Sequence, residues 1–560
     1  MPTYRTPGVY VEEIATLPPS VAEVATAIPA FIGYTAIGPA DNADPVVARI
    51  ATMLEFETAF GGAQPAKFSV TQPVDERGVP AGNPAVKLEG GDQPRFCLYY
   101  ALAHYFRNGG GPCYVVSVGN YKSAPGKARF IAGLAALERE DEPTLIVLTD
   151  AACLLPAAGY YEVCGEALKQ CRKLGDRFTI LDVMQGDASG FRNDSSLSAN
   201  LMYGAAYHPY LQTSIPYEYN EADVSIKRSA SAGATVSGSL NLGGSNGVSV
   251  SFTGPAGSAP GVAVTFGKKT PEPGFSVAAG TLTITDANGA SGSEIVEAWG
   301  EWKKSGRAAG FDISQSGDGS AALATADVPR TPVPVPAAAS ASDTLETVKN
   351  KETALYNRAR AALDEQCIVL PPSAAVAGIY ARVDREHGVW KAPANVGVMA
   401  VLGPVARITN DEQETLNVDP TAGKSINAIR DFTGRGTLVW GGRTLAGNDN
   451  EWRYVSVRRL FITIEESARK ASAFAVFEPN DQSTWLKVKA MIESYLYGLW
   501  EQGALAGAKP EAAYYVHVGL GTTMTPQDVL EGRMNVEIGV AAVRPAEFIV
   551  LKFSHKMQTA

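Results

Sequence analysis

Short apolar runs alternate with helical patterns over residues 21–216. The periodicity predicts a helix over 93–111 that ends at glycines, and the strand CYVVSV follows it. Two further predicted strands, at 144–150 and 177–183, are almost continuously apolar and have a helical pattern between them. Short apolar strands separated by helices are typical of a mostly parallel sheet that is covered on both faces. This part of the chain is therefore predicted to be an α/β core.

The pattern changes between residues 229 and 342, where Gly, Ala, Ser, Thr and Val dominate. The alternating runs GVSVSF, GVAVTF and GTLTITDANG predict a small antiparallel β domain with glycine turns. The run RTPVPVPAAASAS, at 330–342, predicts an extended and stiff proline-rich spacer. We interpret the segment as an insertion on the surface of the core. Disorder of part of it is the alternative.

Helical periodicity returns at 342–366 and is clearest at 480–503, where Ser483 is the predicted N-cap and Gly503 the predicted C-terminal stop. An apolar stripe on the second helix indicates core packing; its residues are Trp485, Val488, Ile492, Tyr495, Leu496 and Leu499. Strands are predicted in this part of the chain at 436–441, 514–520 and 534–543.

Two predicted strands lie near the ends of the chain and have no local partner. TPGVYVEE, at 6–13, is followed by no hairpin turn with a second alternating run, and EFIVLKFSHK, at 547–556, is the last strand. Backbone groups of a strand must be paired or solvated. The sequence therefore raises the question of what these two strands pair with.

The length of 560 residues predicts two to four domains. We expect an α/β (α+β) multidomain protein with a mostly parallel core built from its N- and C-terminal parts, a β-rich inserted domain and extended terminal strand arms. The predicted divisions are an N-terminal strand arm at 1–20, an α/β domain at 21–218, the insertion with its linker at 219–342, a C-terminal core domain at 343–545 and a C-terminal strand arm at 546–560.

Composition excludes several classes of function. The net charge of −10 argues against nucleic-acid binding, and no apolar run approaches the roughly 18–20 residues that span a membrane. The N-terminus lacks the features of a signal peptide, so we expect synthesis and folding in a cytoplasm. The six cysteines show no CxxC spacing and the five histidines are scattered, which predicts buried free thiols and no metal site.

Motifs for chemistry are incomplete. TAGKSINAIR contains Gly423, Lys424 and Ser425, but a phosphate-binding loop needs a glycine where Val418 stands, so we expect an ordinary loop before a helix. GLGTTM and GRGTLV are interpreted as turns. Asp150 and Asp182 end predicted strands, where catalytic carboxylates and helix-capping ones both occur. The motifs do not favour an enzyme, and no cofactor is expected.

The segment 451–470 has a predicted buried stripe of Val457, Leu460, Phe461, Ile464 and Ala468. Its charged residues are predicted on the other side, with the favourable pairs Glu465–Arg469 and Glu466–Lys470. One interpretation is a solvated helix face. The other is an interaction face whose unpaired cations are Arg453, Arg458 and Arg459.

Nine blocks of the sequence together resemble the tail sheath proteins of contractile phage tails and related injection machines. In order they are TPGVYVEE, GYTAIGPA, FRNGGGPCYVVSV, PPSAAVAGIYARVDREHGVWKAPAN, GRGTLVWGGRTL, EWRYVSVRRLFITIEES, AVFEPND, LWEQGAL and RPAEFIV. The resemblance covers residues 1–216 and 345–560 and is densest from 367 onward. No resemblance is assigned to 229–342, which we interpret as a lineage-specific and dispensable insertion.

The resemblance implies a structural role in a virion or injection particle assembled in the bacterial cytoplasm. Sheath subunits stack as six-fold rings around an inner tube and contract without nucleotide hydrolysis. The implied partners are other copies of the chain, the inner tube protein, and baseplate and tail terminator proteins, with no direct nucleic acid and no membrane insertion. A non-contractile baseplate or tube protein and an α/β enzyme with a β insertion are the alternatives.

The resemblance also suggests partners for the terminal strands. In the family, terminal arms add strands to the sheets of neighbouring subunits, which is β-augmentation. The positions that fit those arms here are Val9, Tyr10, Val11, Phe548, Val550 and Lys552. Pairing within the same chain is the alternative. Arg453, Arg458 and Arg459 are the candidate residues that face the tube.

Overall fold

A computed structural model of the chain describes residues 21, 23–74, 82–89, 95–230, 235–255, 258–267, 273–285, 289–322, 326–335, 343–419, 421 and 423–551. The described residues form two compact units. Unit 1 contains those of Met1–Gln64, Pro94–Ile215 and Cys367–Ala560, and unit 2 contains those of Pro65–Gln93 and Pro216–Gln366.

The strands are numbered along the chain as β1 (Pro29–Thr35), β2 (Val46–Ile50), β3 (Phe68–Val74), β4 (Ala85–Leu88), β5 (Cys113–Asn120), β6 (Leu145–Val147), β7 (Phe178–Asp182), β8 (Gly204–His208), β9 (Leu211–Pro216), β10 (Ser225–Ala230), β11 (Thr235–Leu242), β12 (Val248–Pro255), β13 (Gly261–Val264), β14 (Gly274–Ala278), β15 (Thr281–Thr285), β16 (Phe311–Gln315), β17 (Val328–Pro332), β18 (Asp343–Thr344), β19 (Cys367–Leu370), β20 (Val396–Gly397), β21 (Val401–Pro404), β22 (Ile426–Phe432), β23 (Gly436–Val439), β24 (Tyr514–Val518) and β25 (Val536–Val540).

The α-helices are α1 (Met53–Phe60), α2 (Leu98–Arg107), α3 (Lys127–Leu137), α4 (Thr149–Leu154), α5 (Ala157–Leu174), α6 (Ala188–Asn193), α7 (Gly292–Lys303), α8 (Leu345–Lys351), α9 (Thr353–Asp364), α10 (Ser373–His387), α11 (Asn410–Asn417), α12 (Val455–Ala471), α13 (Gln482–Glu501), α14 (Pro510–Ala513) and α15 (Pro526–Leu530).

Unit 1 is built on a nine-stranded sheet in the order β2-β5-β1-β6-β7-β8-β22-β23-β20. Every pair from β5 to β22 is parallel, and the pairs at the two edges are antiparallel. Because β20, β22 and β23 come from the C-terminal part of the chain, both parts contribute to one sheet. The predicted α/β fold with a mostly parallel core is confirmed.

Helices cover both faces of this sheet. The ring of Phe31 in β1 contacts the ring of Tyr105 in α2, with centroids 5.1 Å apart. The next residue, Ile32, lies against Gly133 of α3, where a Cβ would come within 2.7 Å of its side chain. Successive side chains of a strand point to opposite faces. Therefore α2 and α3 lie on opposite sides of the sheet, and β1 is buried along its whole length.

Two buried carboxylates hold helix N-termini against the sheet. Asp150 accepts hydrogen bonds from the backbone N–H of Cys97 (2.6 Å) and Leu98 (3.1 Å) at the start of α2. Asp182 accepts from the N–H (2.8 Å) and hydroxyl (2.6 Å) of Ser373 at the start of α10. Burial raises the pKa of both carboxyls to about 7, against the opposing effect of these hydrogen bonds. Of the two predicted roles, helix capping is confirmed.

Unit 2 contains two hydrophobic clusters. One lies between helices α8 and α9 and a sheet in the order β18-β10-β3-β4. The other combines the sheets β11-β12-β16 and β14-β15-β13-β17 with helix α7. The structure thus groups Pro65–Gln93 and the helices before Gln366 with the predicted insertion. The predicted domain boundaries stay a prediction.

The β-rich character predicted for 229–342 agrees with strands β11–β17, although β13 and β15 are parallel rather than antiparallel. Helix α7 was not predicted. Its sequence signal was the capping box of Ser291 and Glu294, followed by the buried residues Ile295 and Trp299. Residues 336–342 of the predicted spacer lie outside the described residues.

Several local predictions need correction. The N-cap of α13 is Asp481 rather than Ser483, because its side chain accepts from the N–H of Thr484 at 3.0 Å. The loop at Lys424 leads into strand β22 rather than a helix, and the buried Lys424 ammonium donates to the carbonyl of Arg192.

The prediction of six free thiols was wrong for one pair. Cys97 and Cys153 form a disulfide with Cα atoms 6.4 Å apart. The other four cysteines are free, as predicted, and Cys367 is only half-buried.

Candidate assembly surfaces

A two-stranded antiparallel sheet of β24 and β25 lies in unit 1, with Tyr515 opposite Gly539 and Val516 opposite Ile538. Val516 is buried in a hydrophobic cluster with residues of α13, such as Val488 and Ile492. On β25 the inward residues Val536, Ile538 and Val540 contact the same cluster but are only half-buried. The inner face of this sheet is therefore incompletely covered.

The outer face of the small sheet carries an aromatic pair. The rings of Tyr515 and His517 stack with centroids 4.7 Å apart, and the Tyr515 hydroxyl donates to Glu537 at 3.1 Å. A Cβ at Gly539 would lie 2.2 Å from the Tyr515 ring, so glycine is required for the ring to lie flat across β25. This packing fixes the register of the two strands.

Among the described residues, β24 and β25 pair only with each other, and no further strand lies along either long edge of the small sheet. The bridge between Leu505 and Ala542 lies beyond the end of β25. Unpaired edge groups are a template for strand addition. A two-stranded sheet is also marginal by itself. The sheet thus has the geometry of an acceptor for additional strands.

The chain after β25 follows unit 1 as far as Glu547. The N–H of Ala541 donates to Ala513 (2.8 Å) and the N–H of Val543 to Ala504 (3.3 Å). The Glu547 carboxylate then accepts hydrogen bonds from three side chains, Arg443 (2.5–3.1 Å), Asn417 (2.9 Å) and Tyr454 (3.4 Å).

Burial of Glu547 alone would raise its pKa, but the hydrogen bonds from Arg443 and Asn417 and the Arg443 charge outweigh this and lower the pKa. The carboxylate is therefore held in its ionised form.

Beyond Glu547 the described chain is mostly exposed, although Phe548 and Ile549 line a surface pocket together with Trp440. Phe548, Ile549, Val550 and Leu551 are 73–79% exposed and belong to no strand. A run of four large apolar residues exposed together is unusual on a soluble surface and marks an interaction segment.

Among the predicted arm residues, Phe548 and Val550 lie in this exposed run, whereas Val9, Tyr10, Val11 and Lys552 lie outside the described residues. Pairing of these residues with another subunit stays a prediction.

The predicted cations of helix α12 are not exposed. Arg459 is 3% exposed and forms an ion pair with the equally buried Asp384 at 2.5 Å, and its guanidinium lies 4.6 Å from the centroid of the Tyr380 ring. Arg459 also donates to the carbonyl of Thr26 at 2.8 Å. The expectation of an unpaired cation at this position was wrong.

Arg458 is also buried. Its guanidinium lies 4.5 Å from the Trp452 ring centroid and 5.0 Å from that of Tyr203, and it forms an ion pair with Glu465 at 2.9 Å. Glu465 therefore pairs with Arg458 rather than with its predicted partner Arg469. The predicted Glu466–Lys470 pair is confirmed at 3.1 Å.

Arg453 is half-buried and donates to Asn450 at 2.8 Å. Its exposure is compatible with the predicted contact with a tube, which stays a prediction. For Arg458 and Arg459 the burial removes the physical basis of that assignment.

The family of the chain follows from sequence and structure comparisons. A sequence model of the phage tail sheath protein central domain matches residues 308–445, and a model of the phage tail sheath C-terminal domain matches residues 447–556. Residues 308–556 thus match two domains of the tail sheath protein family. Because the first match begins at residue 308, the end of the segment 229–342 is part of the family domain, which corrects the sequence-based interpretation.

The curated relatives share part of this chain. The tail sheath protein of Vibrio phage KVP40 is 26% identical over 187 residues, which are 33% of this chain and 26% of that protein. The alignment thus spans about a quarter of the relative's length.

Solved structures match more of the chain. A chain in the structure of the anti-feeding prophage baseplate has a TM-score of 0.55 and 27% identity, with 99% of this chain and 100% of that chain covered. A chain of the contracted anti-feeding prophage helical sheath has a TM-score of 0.54 with the same identity and coverage. Among the described residues, no helix is long and apolar enough to cross a membrane.

Proposed function

We propose that this protein is the structural subunit of a contractile tail sheath. Copies of the chain assemble as hexameric rings, wound helically around an inner tube, and contraction of the sheath drives the tube through a target cell envelope. The observation that carries the proposal is the two-stranded sheet, whose long edges pair with no other described residue, together with the exposed apolar run Phe548–Leu551 in the same unit.

The acceptor in this proposal is the β24–β25 sheet. It offers two edges, and the chain has two terminal strand sequences, one around Val9 and Val11 and one around Phe548 and Val550. Strands added at both edges would pair the free backbone groups and cover the half-buried side chains Val536 and Ile538. Subunits would then be linked through a four-stranded sheet of three chains.

One arm alone is a weak link. A strand of five or six residues forms a handful of hydrogen bonds, each worth a net ~0.5–1.5 kcal/mol. Ordering a flexible terminus costs roughly 1–2 kcal/mol per residue. In a lattice, other contacts hold each arm near its acceptor, so the effective concentration is high and the links become collectively strong. Such tethers also let subunits move during contraction without dissociating.

The remaining partners are proposals of the same kind. The inner tube protein and the baseplate and terminator proteins would contact the assembled sheath in a virion or injection particle built in the host cytoplasm. Because contraction must release the tube, a polar and screened tube contact is favoured over a large apolar one. Arg453 is the remaining candidate from the sequence for that contact.

The test is deletion of residues 1–15 or 546–560, followed by circular dichroism and negative-stain electron microscopy. We expect a folded subunit that no longer forms ordered sheath, because the linking strand is lost while unit 1 keeps its core. Normal sheaths from both truncations would refute strand exchange, and an unfolded protein would mean that the arm completes its own subunit.

Microscopy of the untruncated chain separates the alternatives. Helical sheaths of two lengths support the proposal, discs or static tubes would indicate a non-contractile baseplate or tube protein, and monomers with ligand-dependent stability would indicate an enzyme.

A further inference from the structure

The side chain of Arg443 is 4% exposed and points at the C-terminal segment. Its backbone is fixed by Asn427 of strand β22, which accepts from the Arg443 N–H (2.8 Å) and donates to the Arg443 carbonyl (2.8 Å). The guanidinium is thus anchored in the central sheet. Among the described residues its acidic partner is Glu547 alone.

The hydrogen bonds at Glu547 join three elements to one carboxylate. Asn417 is the last residue of α11, Arg443 follows β23, and Tyr454 is the N-cap of α12. The Asn417 carbonyl also accepts from Arg443 at 3.3 Å, so the donors hold one another in place. A planar guanidinium facing a carboxylate with two hydrogen bonds gives both strength and direction.

Glu547 is the last half-buried residue before the exposed run at 548–551. Before it, Val543 is bonded to Ala504. Directly after it, Phe548 is 73% exposed and Ile549 79% exposed. Among the described residues, Glu547 therefore makes the last hydrogen bonds between the C-terminal segment and the rest of unit 1.

We propose that Arg443, Asn417 and Tyr454 form a latch for Glu547, and that this latch sets the point from which the C-terminal arm extends to a neighbouring subunit. The proposal rests on the sheath function proposed above. When Glu547 is bound by the latch, the arm begins at residue 548. When Glu547 is released, residues 544–547 would join the arm and lengthen it by about 13 Å, at ~3.3 Å per residue.

If the arm could begin at more than one residue, its length would vary and the position of its strand on the neighbouring subunit would no longer be fixed. A strand that can slip along its acceptor by one residue turns its side chains to the wrong face. The latch would thus act as a positioning device for the register of strand exchange. Glu547 and Arg443 are positioning residues in this account, and the acceptor sheet is unchanged by their substitution.

The test compares the wild type with E547Q by digestion of the unassembled chain with elastase, which cuts after small aliphatic residues. Ala546 is exposed, but the closed latch holds the neighbouring Glu547 through its hydrogen bonds, so the bond after Ala546 cannot easily adopt the extended conformation that a protease binds. We expect the cut after Ala546 to be at least tenfold faster in E547Q. Equal rates at this bond would overturn the latch.

The matched control is E465Q. It removes the carboxylate partner of another buried arginine, Arg458, without touching the C-terminal segment. We expect its digestion pattern to equal that of the wild type. Accelerated cutting after Ala546 in E465Q would show general loosening rather than a local latch and would also overturn the proposal.

A second variant guards against misfolding caused by an unpaired buried arginine. The double variant R443M/E547L removes both charges, so no charge is left unpaired, and should show the same accelerated cut.

Electron microscopy of E547Q then tests the role in assembly. Sheaths with variable helical order support that role, and sheaths identical to the wild type would refute it. If the wild type itself forms no sheath, the proposed function fails while the digestion result still decides the latch.

Discussion

Two sheets of unit 1, the nine-stranded sheet and the sheet of β24 and β25, differ in how completely the backbone groups of their strands are paired. In the nine-stranded sheet, strands β1, β6 and β7 are buried along their whole length and are paired on both sides. In the sheet of β24 and β25, each strand has one partner among the described residues, and the inward side chains of β25 are half-buried. The strands of the first sheet find their hydrogen-bond partners and their apolar contacts within the subunit itself. The second sheet has backbone N–H and C=O groups at its edges that can pair with a strand of another chain during assembly.

The largest expected effect is a loss of stability when a residue of the nine-stranded sheet is substituted. Phe31→Ala removes a fully buried ring from β1 and should lower the free energy of unfolding by about 3–5 kcal/mol. Ile538→Ala on the half-buried face should cost only about 1 kcal/mol in the unassembled subunit, yet it should impair sheath formation. Urea denaturation and negative-stain microscopy measure the two effects. Equal losses of stability would contradict the difference between the sheets.

A second expected effect concerns helix α12. Arg459→Ala leaves the buried Asp384 carboxylate without its ion-pair partner and should destabilise the subunit by about 3–5 kcal/mol. The control Arg453→Ala, at a half-buried position, should change stability by about 1 kcal/mol or less. Thermal unfolding measures both. A fully stable Arg459→Ala subunit that only lost tube binding would restore the surface role predicted from sequence.

A smaller effect on the free energy of unfolding is expected at Glu547, and it should depend on pH. The folded-state pKa of Glu547 is lowered from its ordinary value of 4.5, so its contribution is present above that pH and is lost as the pH falls through the lowered value. At pH 6 the wild type should be about 2 kcal/mol more stable than E547Q, because hydrogen bonds to a charged group are lost. Denaturation between pH 6 and pH 3 should show this difference shrinking. A difference that is constant with pH would exclude an ionised carboxylate.

The smallest effect on assembly is expected from the β-rich part of unit 2. A short Gly-Ser linker in place of residues 231–342 keeps β10, which lies between β18 and β3, and removes the cluster around Trp299. Although residues 308–342 lie in the matched family domain, we expect polymerisation to be unchanged in negative-stain images, because the removed cluster belongs to unit 2 and the proposed acceptor sheet to unit 1. Loss of assembly with retained folding would place this cluster in the lattice.

Sequence patterns predicted what depends on local periodicity. The parallel core followed from its continuous apolar strands, and helix α13 from its stripe. Helix α12 was misjudged because twelve of its residues are buried, so polar residues such as Arg459 face neighbouring elements rather than water. Its partner Asp384 is 75 residues away in sequence, and no local pattern reports such a pair. The same limit applies to Arg443 and Glu547, which are 104 residues apart.

The most direct test of strand exchange is a cryo-electron microscopy map of polymerised protein at a resolution that separates strands. We predict two additional strands at the edges of β24 and β25, each continuous with the terminus of a different neighbouring subunit. A sheet that remains two-stranded in the assembled lattice, or one completed by the termini of its own chain, would contradict the account.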